Sequence, residues 1–130
     1  MEVAATNPES ARCAILIVED AIATRAALGE LLRMAGYVVC EAADADQARV
    51  LLESRMEIDV LITDVEMPGS MDGIGLARWV RRNRPALRVL VLSGLDVASQ
   101  LAGEGIACFK KPLQSTLLLA ALPRAGKDTP

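Results

Sequence analysis

Three carboxylates stand where hydrophobic runs meet their loops: Glu19 and Asp20 directly after CAILIV (13–18), and Asp64 at the end of DVLITD (59–64). If these runs are parallel strands of one sheet, their carboxyl ends open on the crevice where such sheets bind ligands. The three acids could then converge. Two unit charges about 4 Å apart repel by about 4 kcal/mol at an effective dielectric of about 20, so the cluster must either bind protons or take up a cation. An all-oxygen, partly hydrated site suits Mg²⁺. The sequence contains no histidine, which removes the commonest general base and metal ligand at neutral pH. Chemistry here has to come from carboxylates, hydroxyls and lysine.

The elements that would position these acids follow from the hydrophobic pattern. Five short apolar runs, CAILIV (13–18), YVVCEA (37–42), DVLITD (59–64), LRVLVLS (87–93) and ACF (107–109), read as strands. They are nearly continuous rather than alternating, as strands covered on both faces are. Segments of helical period separate them, the pattern of βα units around a parallel sheet. The first helix is expected over 21–35, with Leu28, Leu31, Leu32 and Ala35 on one side and Gly36 as its stop. Asp44 and Gln47 form a capping-box-like pair opening a second helix that buries Ala45, Ala48, Leu51 and Leu52. A third, 72–83, buries Leu76, Ala77 and Val80 and ends before Pro85. Between Ser93 and the fifth run only DVASQLA followed by GEG remains, so the fourth helix is expected to be short and broken. The last helix, 113–122, is stopped by Pro123.

At 130 residues the chain makes about one domain. Apolar residues are 52% but aromatics only 2%, so Ala, Val, Leu and Ile must fill the core. Residues 1–10 and 123–130, polar or proline-containing, are expected to be loose flanks of a domain at 11–122. With 14 basic and 17 acidic residues and a net charge of -3, there is no global basic field to draw the chain to nucleic acid or anionic lipid. The arginines at 78, 81, 82 and 84 read as a solvated face complementing a helix C-terminus. Neither aromatics nor a reading helix accompanies them, so no direct nucleic-acid contact is expected. Cys13, Cys40 and Cys108 are unpaired in spacing and read as small buried hydrophobes in a reducing compartment. The first residues carry no apolar leader pattern and no run is long enough for a membrane span, so a cytoplasmic chain without membrane contact is expected.

Taken in order, VED at 18–20, Asp64, MPG at 67–69, DG at 72–73, Ser93 and KP at 111–112 resemble the receiver domain of two-component response regulators, over residues 13–122. The resemblance implies a flavodoxin-like (βα)5 doubly wound sheet of order 2-1-3-4-5. It implies that Asp64 is the phosphoacceptor, taking a phosphoryl group from a histidine kinase or a histidine phosphotransfer protein and switching contact with a separate effector protein. Mg²⁺ would be held by Asp20, by Glu19 through water, by Asp64 and by the main-chain carbonyl of Glu66. Lys111 and the Ser93 hydroxyl would meet the phosphoryl oxygens, with Gly94 letting the backbone come close, while Lys110 stays in solvent. A cis Lys111–Pro112 bond is expected on the same ground. Such a domain is a phosphorylated switch, not a turnover enzyme, and it assists its own phosphorylation and dephosphorylation.

Several positions depart from the family pattern. Glu19 replaces an aspartate, and Ser70 lengthens the MPG loop by one residue. Cys108 stands where many members carry an aromatic that reports the movement of the hydroxyl, so that coupling is weakened or passes to Phe109. Glu66, two residues after the acceptor, is a candidate to screen or orient the hydrolytic water. These features keep alive a phosphorylation-independent interaction domain and a phosphate sink as alternatives. A phosphatase of the haloacid dehalogenase type would want a second aspartate where Glu66 stands. The chain's length leads us to expect a domain with no output module attached.

Overall fold

A computed structural model describes residues 12–54 and 57–126. The five runs form strands β1 (Ala14–Val18), β2 (Val38–Ala42), β3 (Val60–Asp64), β4 (Arg88–Ser93) and β5 (Ile106–Lys110). All pair in parallel, in the order β2-β1-β3-β4-β5. Helices α1 (Ile22–Met34), α2 (Ala45–Ser54), α3 (Gly73–Asn83) and α4 (Ser115–Ala121) cover the sheet. Because side chains alternate along a strand, each strand supplies two cores. Ile15, Ile17, Ile62 and Leu90 pack on one face with Leu32 of α1 and Leu118 of α4. Leu16, Val18, Leu61, Val89 and Val91 pack on the other with Leu52 of α2 and Leu76 and Val80 of α3. Double coverage explains the unbroken apolar runs of the central strands.

Local chemistry sets the helix ends. Asp44 Oδ1 accepts from Gln47 N (2.9 Å), while Gln47 Oε1 accepts from Ala43 N (2.9 Å), which fixes the start of α2. Asp72 is the N-cap of α3, accepting from Gly75 N at 2.8 Å. α1 stops one residue earlier than expected: Ala35 is an exposed C-cap, and Gly36 adopts φ +101°.

Three expectations are corrected. The shortened fourth helix is absent: 94–105 is a succession of turns, with Gly103 and Gly105 at φ +81° and +75°, a conformation that no helix continues through. Val97 and Leu101 still bury themselves against α3 and the sheet, so the segment packs as a helix would without forming one. The basic run of α3 is not a solvated face. Arg78 clamps Glu104 through Nε and Nη2, both at 2.9 Å; Arg81 donates to the Pro85 carbonyl (2.9 Å); Arg84 donates to the Leu52 carbonyl at the end of α2 (2.6 Å). Arg82 alone of the four is exposed, the other three being half-buried. Finally, residues 123–126 are held rather than loose: Tyr37 donates its hydroxyl hydrogen to the Pro123 carbonyl, Cys13 N donates to the Ala125 carbonyl, and Arg12 bridges Gly126. The expected loose flanks at 1–10 and 127–130 lie outside the described residues. No described helix is long and apolar enough to cross a membrane.

Candidate functional site

The strand order reverses direction between β1 and β3, and there the crevice opens. Glu19 and Asp20 leave β1 and Asp64 ends β3, so topology brings the three acids together. One carboxylate oxygen from each lies within 4.8 Å of the others. Glu19 and Asp64 are buried, while Asp20 is exposed. Lys111, at the end of β5, reaches across the crevice: its Nζ stands 2.9 Å from Asp64 Oδ1 and 3.8 Å from Glu19 Oε1. The Lys111–Pro112 peptide bond is cis. Three negative charges face one positive charge, and the remainder matches a divalent cation. The donor set is carboxylate oxygen with an open, exposed side, which fits Mg²⁺, a hard cation that keeps several waters.

Asp64 is held firmly. Its Oδ1 also accepts from Val65 N (3.0 Å), and its carbonyl accepts from the Thr63 hydroxyl (2.9 Å). Glu19 Oε2 accepts from Ala21 N (3.0 Å), which folds the carboxylate back over the start of α1. Burial pushes the Glu19 carboxyl above its usual range, and the charge of Asp64 adds to this against the opposing Ala21 hydrogen bond and Lys111. Burial works against the Lys111 ammonium. The hydrogen bond and charge of Asp64, then the charges of Glu19 and Glu66, outweigh it and raise its pKa. A cavity of about 300 Å³ opens beside the lysine, lined by Ile17, Leu28, Ile62, Leu92 and Leu113 together with Glu19 and Asp64.

The remaining expected residues are placed as follows. Ser93 is buried, its Oγ accepting from Leu95 N (3.0 Å) and its carbonyl from Lys111 N (2.8 Å). Glu66 and Lys110 are exposed. Around Gly94 there is open space: apart from its chain neighbours, nothing lies within 4 Å of a Cβ built there. Cys108 is half-buried on the α3 side of the sheet, with its thiol over the Ile106 carbonyl (3.9 Å) and its pKa raised by burial and by Asp96. Phe109 packs on the opposite face. Strand alternation therefore keeps it from taking over the position of Cys108.

The glycine that matters for close approach is Gly73, whose role the motif alone did not reveal. A Cβ there would lie 1.8 Å from the Asp64 carbonyl oxygen, and Gly73 N donates to the Val65 carbonyl at 2.9 Å. Ser70, the extra loop residue, donates to Asp46 Oδ1 of α2 (2.9 Å).

A doubly wound sheet with an acidic pocket and a facing lysine at its switch point defines the class, and comparison with known proteins identifies the family. Residues 15–122 match the family described as response regulator receiver domain. The chain belongs to this family, that of the receiver domains of two-component response regulators. It is 33% identical over 118 residues to a cyclic di-GMP phosphodiesterase of Thermotoga maritima, covering 88% of this chain and 31% of that protein. It is 33% identical over 114 residues to the response regulator protein FleR of Pseudomonas aeruginosa, covering 85% of this chain and 24% of the relative. The chain thus spans a third or less of the length of these curated relatives. Among solved structures, it resembles the signal receiver domain of an HD domain-containing protein from Pseudomonas fluorescens Pf-5. The TM-score is 0.78 and the identity 33%, covering 88% of this chain and 94% of that one.

Proposed function

We propose that this domain accepts a phosphoryl group on Asp64, in a Mg²⁺-dependent reaction, from the phosphohistidine of a histidine kinase or phosphotransfer protein, and that the modification switches its contact with a separate effector protein. The observation that carries this reading is the 2.9 Å contact of Lys111 Nζ with Asp64 Oδ1 beside a three-carboxylate cluster. Lys111 and Val65 N both engage Oδ1, which leaves Oδ2 to attack phosphorus. In the transfer, the phosphorus–nitrogen bond to the donor imidazole breaks, a bond from phosphorus to the Asp64 oxygen forms, and the departing nitrogen keeps the bonding pair. Phosphoryl transfer leaves the protein mainly positioning and charge stabilisation to supply. Lys111 supplies a compact positive charge for the phosphoryl oxygens. Ser93 holds a hydroxyl at the same end of the sheet, free to donate its hydrogen while accepting from Leu95 N.

Asp20, Asp64, Glu19 through water and the Glu66 carbonyl would hold Mg²⁺. When bound, the ion offsets the repulsion between an anionic nucleophile and an anionic phosphate. The charge of the exposed Glu66 carboxylate adds to the raised pKa of Lys111, and this side chain would screen the water that hydrolyses the product. Cytoplasmic residence follows from the donor, since histidine kinases phosphorylate their receivers in the cytoplasm.

A second reading, an interaction domain whose contacts ignore phosphorylation, is favoured by Cys108 and by the turns at 94–105, which replace the aromatic and the helix that would relay a change. Phosphoramidate, whose phosphorus–nitrogen bond mimics phosphohistidine, separates the two readings. With Mg²⁺, the wild type should gain one phosphoryl group and Asp64→Asn none, and the amide signals of 93–105 should shift. An unmodified wild type would defeat the first reading; modification without any shift in 93–105 would favour the second.

A further inference from the structure

The β1–α1 loop carries two of the three acids, yet α1 begins without the usual anchors. Its N-cap is Ala21, which offers no side-chain hydrogen bond, and its first turn holds no acidic residue. The loop is instead tied by an arginine from α1 itself. Arg25 Nη1 donates to the Glu19 carbonyl at 2.8 Å, and its Nε donates to Glu41 Oε1 at 3.3 Å. Glu41 lies on β2, opposite Ile17 of β1. Its second oxygen accepts from Arg33 Nη2 at 3.1 Å. The Arg25 side chain is only 17% exposed, so this contact is shielded from water.

We infer that Arg25, aimed by Glu41, is a positioning residue for the metal pocket: it fixes the Glu19–Asp20 peptide plane and thereby aims both acids. The inference rests on the Mg²⁺ reading above. Glu19 N donates to the Ala42 carbonyl at 3.1 Å while Glu19 O accepts from Arg25, so the residue is held on both sides of its Cα. That leaves little freedom in the plane from which Asp20 projects. Glu41 also offsets part of the positive charge that Arg25 and Arg33 bring to the neighbourhood of the pocket. Gly29 makes room for the arrangement: a Cβ there would meet Glu41 Oε2 at 2.9 Å and Arg33 Nη1 at 3.2 Å. The glycine sits inside α1, where alanine is intrinsically the better helix former.

The test is direct Mg²⁺ affinity, by isothermal titration and by amide shifts of residues 19–21, for wild type, Arg25→Ala, Glu41→Gln, their double variant and Gly29→Ala. Losing one shielded, charge-assisted hydrogen bond should weaken Mg²⁺ binding about three- to tenfold. The double variant should bind no more weakly than the weaker single variant, because both changes break one relay. Gly29→Ala should raise the melting temperature through helix propensity yet weaken Mg²⁺ binding, a divergence that a merely structural role would not produce. If Arg25→Ala fails to fold, Arg25→Lys serves, since a single ammonium cannot span the carbonyl and Glu41 in the same forked geometry. Wild-type affinity in the folded Arg25 and Glu41 variants would overturn the inference alone. Absence of Mg²⁺ binding by the wild type would overturn the functional reading and this inference with it.

Discussion

Replacing Glu19 by glutamine should make the domain more stable and a poorer binder of Mg²⁺. Glu19 is buried, with a carboxylate oxygen within 4.8 Å of one from Asp64. At an effective dielectric of about 20 that repulsion is about 3.5 kcal/mol. Lys111 Nζ at 3.8 Å returns an attraction of about 4 kcal/mol on the same scale. The two nearly cancel, and burial of the charge remains as the net cost, consistent with burial as the leading cause of the raised carboxyl pKa. Glutamine keeps an oxygen for Ala21 N and carries no charge, so Glu19→Gln should gain about 1 kcal/mol at pH 7 in chelator. The pH dependence has a definite sign. The folded state holds the Glu19 proton to higher pH than the unfolded chain, whose carboxyl titrates near 4.5. Wild-type stability therefore falls as pH rises through the folded pKa, and the advantage of the variant should vanish on acidification towards the unfolded value. Mg²⁺ should reverse the ranking. At about 100 times its dissociation constant a ligand adds about 2.7 kcal/mol, and the variant should gain far less. Urea unfolding from pH 4 to 8, with chelator and with Mg²⁺, reads all of this. A variant destabilised equally at every pH would refute the electrostatic reasoning.

Removing the facing charge should have the opposite effect. Lys111→Met leaves Asp64 and Glu19 without their cation and should lose about 1 kcal/mol at neutral pH after allowance for solvent screening of a partly exposed ammonium. That wild-type advantage, measured by urea unfolding, should persist until alkaline pH deprotonates Lys111, above its ordinary 10.5. Gly73→Ala should cost about 3 kcal/mol or more and abolish phosphorylation, because its Cβ would collide with backbone of Asp64 and Val65 rather than with a movable side chain; calorimetry and phosphoryl incorporation check this. Glu66→Ala should shorten the lifetime of phosphorylated Asp64, read as decay after the donor is removed, because it unscreens the hydrolytic water, and equal lifetimes would dispose of a role for this side chain. Arg78→Ala should accelerate amide exchange in 98–104, since it frees Glu104 and the turns it clamps to α3.

Much of the architecture is legible because burial on both faces writes itself into the strands as unbroken apolar runs, and because acids at their carboxyl ends have no reason to be there unless a site needs them. The pairing of Asp44 with Gln47 likewise predicts the start of α2 from two side chains close in sequence. Segment 94–105 misleads because Val97 and Leu101 carry a helical spacing for packing alone, while Gly103 and Gly105 decide the backbone. The α3 arginines mislead for another reason: their partners are mostly carbonyl groups at the ends of other elements, and main-chain acceptors leave no mark in a sequence. Arg25 and Glu41, sixteen residues apart, meet only once β2 lies beside β1. Gly73 lies in a motif whose glycine could have been read as a close approach, but only the fold shows that the Asp64 carbonyl is what it approaches.

The most direct test of the account is where a phosphoryl group goes. The domain, incubated with a small acyl phosphate and Mg²⁺, should gain a single phosphoryl group by intact mass, mapped to Asp64 in the peptide digest. The gain should disappear in chelator and in Asp64→Asn. A phosphoryl group on another residue, or incorporation that survives both treatments, would contradict it.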